Sequence, residues 1–85
     1  MGKEEVRQSL TSLIEEVMPE LEGIDMEKNI VSEYGINSVS IIRLIVAAEE
    51  EYDIQFTDYE LALDSYDTFG DLAAVIQSKL DAKDE

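Results

Sequence analysis

The chain contains neither cysteine nor histidine. The usual soft nucleophile and the usual general base are therefore missing. What could still do chemistry is a hydroxyl, Ser38, in the stretch Gly35-Ile36-Asn37-Ser38-Val39. Asn37 is a good helix N-cap, because its side-chain oxygen accepts a free backbone N–H of the first turn. Gly35 permits a tight approach of the backbone. A hydroxyl at a helix start lies in positive potential beside free N–H groups, and a phosphate esterified there is stabilised. Serine is also an ordinary helix-start residue, and the chain has seven serines. The residues alone leave both readings of Ser38 open.

The carboxylates point less clearly to chemistry. Glu49, Glu50 and Glu51 are adjacent, so they splay around a helix and read as its solvated end rather than as a facing acid–base pair. A calcium loop begun at Asp53 has Asp58 where glycine belongs and Asp64 where glutamate is preferred. One begun at Asp58 meets Leu61 and Leu63 among its ligand positions. The expectation is a protein that is not an enzyme and holds no metal.

The chain's 85 residues make one domain, residues 1–85, with one small core. Hydrophobic residues are 45%, enough for a globular fold despite the charge. Net charge is −15, from 21 acids against 6 bases. That field repels nucleic acid and anionic membranes and attracts basic protein surfaces. Without cysteine there is no disulfide framework or zinc ribbon. The N-terminus lacks an apolar signal region, and Val6 stands where myristoylation needs Ser or Thr. No apolar run has transmembrane length. A soluble, cytoplasmic, monomeric protein is expected.

The elements that must position Ser38 follow from periodicity. Val6, Leu10, Leu13, Ile14 and Val17 predict a helix over 4–18, stopped by Pro19. Residues 19–37 show no clean period, but their apolar residues predict a long loop folded back over the core, with a short helical turn near 26–31. Ile41, Leu44, Ile45, Ala48 and Tyr52 predict a helix over 38–52. Thr57 and Glu60 match a capping box and predict a short helix over 57–63, with Leu61 and Leu63 inward. Phe69, Leu72, Ile76 and Leu80 predict a last helix over 68–81, capped by Thr68, with Lys79 and Lys83 suiting the dipole at its end. The fold class is all-α: a four-helix bundle with a long first loop and a short third helix.

The 38–52 helix carries a second apolar strip, Val39, Ile42 and Val46, turned away from the first. Either it is exposed and binds a protein, or the 19–37 loop covers it.

Gly35-Ile36-Asn37-Ser38-Val39, followed by an apolar helix ending in Glu49-Glu50-Glu51-Tyr52-Asp53-Ile54, resembles the G-x-D-S-L region of the acyl carrier protein family. The likeness runs through essentially the whole chain. It implies that Ser38 accepts a phosphopantetheine arm from coenzyme A through a phosphopantetheinyl transferase. The arm would hold acyl, aminoacyl or polyketide intermediates as thioesters for polyketide, nonribosomal peptide or fatty acid biosynthesis. It also implies that Val39, Ile42, Arg43, Val46 and Glu49 face partners, namely loading and condensing enzymes with basic docking surfaces. Asn37 stands for the family's usual aspartate, Val39 for leucine, and Arg43 for an acid common in fatty-acid carriers. Those departures favour a discrete carrier of a specialised pathway. The competing expectation is an acidic helical interaction module without a prosthetic group.

Overall fold

Proline and asparagine set where the first elements begin and end in the computed structural model, which describes residues 2–21, 23–62 and 65–83. Helix α1 spans Lys3–Val17, shifted one residue towards the N-terminus from the expected range. Met18, confined by the following Pro19, leaves the helical conformation and buries its side chain instead.

The expected turn at 26–31 lies further along. Helix α2 is Ile30–Tyr34. It starts there because Asn29 Oδ1 accepts the amides of Val31 and Ser32 at 3.0 and 2.9 Å. It stops at Gly35, which is left-handed with φ 63° and donates to Val31 O. No atom outside its neighbours lies within 4 Å of where a Gly35 side chain would begin. The glycine therefore serves a backbone conformation, not the close approach read from the sequence.

The first loop does fold over the core. Met26, Ile30 and Ile36 are buried, and Leu21, Ile24 and Tyr34 pack against them. Ile30 donates its amide to Asp67 O at 2.8 Å. Gly70 donates to Met26 O at 2.9 Å, and a Cβ there would sit 2.9 Å from that oxygen. Here close backbone approach does require glycine.

Helix α3 spans Ser38–Tyr52, the range expected. Ile41, Leu44, Ile45, Ala48 and Tyr52 are all buried, and the helix packs on α1. The Tyr52 hydroxyl donates to Ser9 Oγ at 2.9 Å. At its C-terminus Asp53 turns left-handed, φ 53°.

The expected 57–63 helix shortens to a 3-10 turn, Tyr59–Leu61. Only one arm of its capping box forms, with the Thr57 amide donating to Glu60 Oε1 at 2.8 Å. The Tyr66 hydroxyl donates to Glu60 O at 2.7 Å. Leu61 is half-buried, and Leu63 lies outside the described residues. Thr57 and then Lys79 hold the Glu60 carboxyl below its usual range. Lys79 also lies over the Phe56 ring, 5.1 Å from its centre.

Helix α4 spans Phe69–Lys83, starting and ending later than predicted. Thr68 caps it: its Oγ1 accepts the Asp71 amide at 3.1 Å, and Asp71 Oδ2 accepts the Thr68 amide at 3.1 Å. Lys83 lies in the last turn of α4, yet its ammonium reaches the end of α3. It donates to Asp53 O and Asp53 Oδ2, each at 3.0 Å, and to Tyr52 O at 3.4 Å. Buried side chains of α1, α3 and α4 meet in one core centred on Phe69, Leu10, Ile14 and Ile41. Among the described residues there is no strand, only one isolated bridge between Asn29 and Thr68.

Burial pushes the Tyr66 hydroxyl up to about 12, with the Glu60 charge adding to it, and burial also raises Tyr52. A folded-state value above the unfolded one stabilises the fold at lower pH and is lost as pH rises. Unfolding free energy should therefore fall between roughly pH 10 and 12. In Tyr66→Phe that fall should be shallower, as measured by urea unfolding across this range.

Candidate functional site

The corner between α2 and α3 alternates inward and outward side chains. Ile36 is buried, Asn37 caps α3, and Ser38 is exposed. Ile36 and Ile41, both buried, occupy the two positions of a hydrophobic staple around the Asn37 cap. Asn37 Oδ1 accepts the Ser40 amide at 2.9 Å, and Asn37 O accepts Ile41 N–H at 3.1 Å. The cap is therefore asparagine's, as predicted, and the serine hydroxyl is not needed for it.

Ser38 Oγ makes no hydrogen bond among the described residues. The amides of Ser38 and Val39, at the positive end of a 15-residue helix, also have no acceptor among them. A phosphate ester on Ser38 would meet these free donors in open solvent. These residues therefore fit a phosphate-linked group, with no side chain to displace.

The strip along α3 resolves the alternative left open by the sequence. Val39 is 63% exposed, Ile42 42% and Val46 45%. The opposite face of α3 is buried against α1, and this one is left free. Arg43 is exposed within the same strip. Glu49 is half-buried and turned inward in part, with its Oε2 accepting the Phe56 amide at 3.0 Å. That bond ties the loop after α3 to the helix, and only one glutamate oxygen remains for an outside contact. Glu50 and Glu51 are exposed.

Two exposed apolar groups escaped the sequence reading: Val31 on α2, 51% exposed, and Tyr59 on the 3-10 turn, 87% exposed. Both elements are too short to show a period. A cleft of ≈ 410 Å³, lined by Lys3, Arg7, Met26 and Gly70 among others, contains none of the candidate residues. Among the described residues, no group of three or more acids is placed to hold a metal ion. No described helix is long and apolar enough to cross a membrane.

An all-helical domain with a free helix-start hydroxyl beside an unpartnered apolar strip has the form of a small carrier domain. A family model described as the phosphopantetheine attachment site matches residues 8–76, a span that includes this corner. The chain belongs to that family, the acyl carrier proteins, whose members carry a covalently attached phosphopantetheine group. It is 33% identical to an acyl carrier protein of Rhodococcus erythropolis over 82 residues, 95% of this chain and 87% of that one. It is 34% identical to the meromycolate extension acyl carrier protein of Mycolicibacterium smegmatis, over 88% of this chain and 75% of the relative. An acyl carrier protein of Prochlorococcus marinus is 29% identical over 93% of this chain and 98% of its own length. No solved structure matches the chain.

The division of labour at this corner is measurable. Asn37→Ala should lower unfolding free energy by about 1 kcal/mol through loss of the cap. Ser38→Ala should change it by less than about 0.5 kcal/mol, as at an unbonded surface position. Urea unfolding of both variants against the parent provides the comparison.

Proposed function

We propose that Ser38 is the residue that bears the phosphopantetheine arm, and that this chain is a discrete carrier for a specialised acyl-elongating pathway. The observation that carries this reading is the exposed, unbonded Ser38 hydroxyl next to a cap formed by another residue. When attached, the arm supplies a terminal thiol that holds the cargo as a thioester.

The protein's own residues bind and orient. Asn37 and Ile36 fix the helix start, so the hydroxyl is presented at a constant place. The amides of Ser38 and Val39 stabilise the phosphate charge. Val39, Ile42 and Val46 offer an apolar surface to the transferase and later to loading and condensing enzymes. Glu49, through its remaining oxygen, and its exposed neighbours would meet basic groups at the rim. The chain performs no chemistry of its own, and with no cysteine it has no internal thiol to draw off the cargo.

The meromycolate extension relatives support an acyl chain as cargo over an aminoacyl group. Arg43, a base in the docking strip, supports a dedicated partner set over the general fatty-acid machinery. The monomer expected from the sequence suits a carrier that visits several enzymes in turn.

Incubation with coenzyme A and a broad-specificity phosphopantetheinyl transferase should add the mass of one phosphopantetheine, read by intact mass. Ser38→Ala should gain nothing, while Ser40→Ala gains normally. No gain in the parent, beside a carrier modified in the same tube, contradicts the reading. A gain that survives Ser38→Ala moves the site elsewhere.

A further inference from the structure

With 21 acids and 6 bases, an exposed base on this chain has abundant carboxylates to pair with. Among the described residues, four of the six bases do so. Arg7 meets Glu27 at 3.3 Å, Lys28 meets Glu33 at 3.2 Å, Lys79 meets Glu60 at 2.9 Å and Lys83 meets Asp53 at 3.0 Å. Arg43 makes no ion pair, hydrogen bond or ring contact among the described residues. Lys3, which also makes no ion pair among the described residues, stands in the first turn of α1, outside the strip.

The isolation of Arg43 is written into α3. Side chains three or four positions away share its face. Those positions hold Val39, Ser40, Val46 and Ala47, none of them acidic. Arg43 therefore flanks the exposed Val39, Ile42 and Val46, midway along them. The acids begin a turn further on. Of these, Glu49 holds the Phe56 amide and Asp53 holds Lys83, leaving Glu50 and Glu51 exposed. Along the strip the order is apolar with a positive centre, then negative.

We infer that the partner surface seated on α3 presents an Asp or Glu carboxylate to Arg43, beside the groups that cover the apolar strip, with basic groups only where it meets the end of the helix. This rests on the docking role proposed above and adds the sign of its central contact. Any surface that covers Val39, Ile42 and Val46 also strips water from Arg43. A desolvated guanidinium without a counter-charge is costly, and one facing a lysine is costlier. The planar guanidinium fork matches a carboxylate through two parallel bonds. A nucleic acid or anionic membrane could offer phosphate instead, but the net charge of −15 repels both.

The test uses the full chain, 15N-labelled, and two amphipathic helical peptides. Both have a leucine face and a lysine at the end that meets the C-terminus of α3, and they differ only in a central Glu or Lys. Amide shifts in a titration should map to residues 39–50, with the Glu-centred peptide binding about five to ten times more tightly. Arg43→Glu should reverse the order, and Arg43→Lys should keep it at a smaller ratio. Equal affinities, an order unchanged by Arg43→Glu, or shifts that map off α3 would overturn the assignment. The same preparations are assayed for arm addition at Ser38. Addition absent with the peptide preference intact removes the carrier reading and leaves the charge assignment standing.

Discussion

The bond from the Ser40 amide to the Asn37 side chain is the constraint on which the site depends. A helix start has more amide donors than acceptors, and the side chain that can accept one of them is that of the residue just before the first turn, here Asn37. Asn37 takes the amide of Ser40, the third residue of the helix, and the exposed Ser38 that follows the cap has no part in it. The buried Ile36, one residue earlier, anchors the corner in the core. A free hydroxyl and a fixed helix start are thus produced by neighbouring residues with opposite surroundings.

The same helix is divided along its length. Its inner face places Ile41, Leu44, Ile45 and Ala48 in the core and holds α3 against α1. Its outer face leaves Val39, Ile42 and Val46 in water, each forgoing on the order of 1 kcal/mol of burial free energy. A small domain has little stability to forgo. The far end of α3 is held correspondingly well, by Lys83 on the last carbonyls and by Glu49 on the Phe56 amide. Rigidity at that end keeps the exposed strip at a constant angle to Ser38.

Much of this was legible in the residues. The two long helices after the loop show a clear apolar period and carry cap residues, and both lie close to where the pattern places them. Helix α2 begins four residues later than the turn expected near 26–31, because five residues contain too little period and its position follows from Asn29 rather than from hydrophobicity. The 57–63 pattern predicts a longer helix than the 3-10 turn that forms, because its Thr57–Glu60 pair matches a common capping pattern, while the bond from the Tyr66 hydroxyl to Glu60 O comes from outside the turn. Whether the Val39 strip was covered depended on the path of the loop, a three-dimensional fact. The second roles of Glu49 and Lys83 likewise depend on distant partners. The Asn37 cap is legible in the sequence, but the exposed and unbonded state of the Ser38 hydroxyl depends on which neighbours reach it, a three-dimensional fact.

The central claim is that the site is built before it is used: the corner is set by Asn37 and Ile36, and attachment of the arm adds to it without remaking it. A comparison of backbone amide spectra before and after arm attachment tests this most directly. Shifts confined to Ser38 and its neighbours in the first turn of α3 are predicted, with Ile45, Leu72 and Phe69 unmoved. Shifts spread through those core residues would mean that the corner forms only with the arm in place, and would contradict the account.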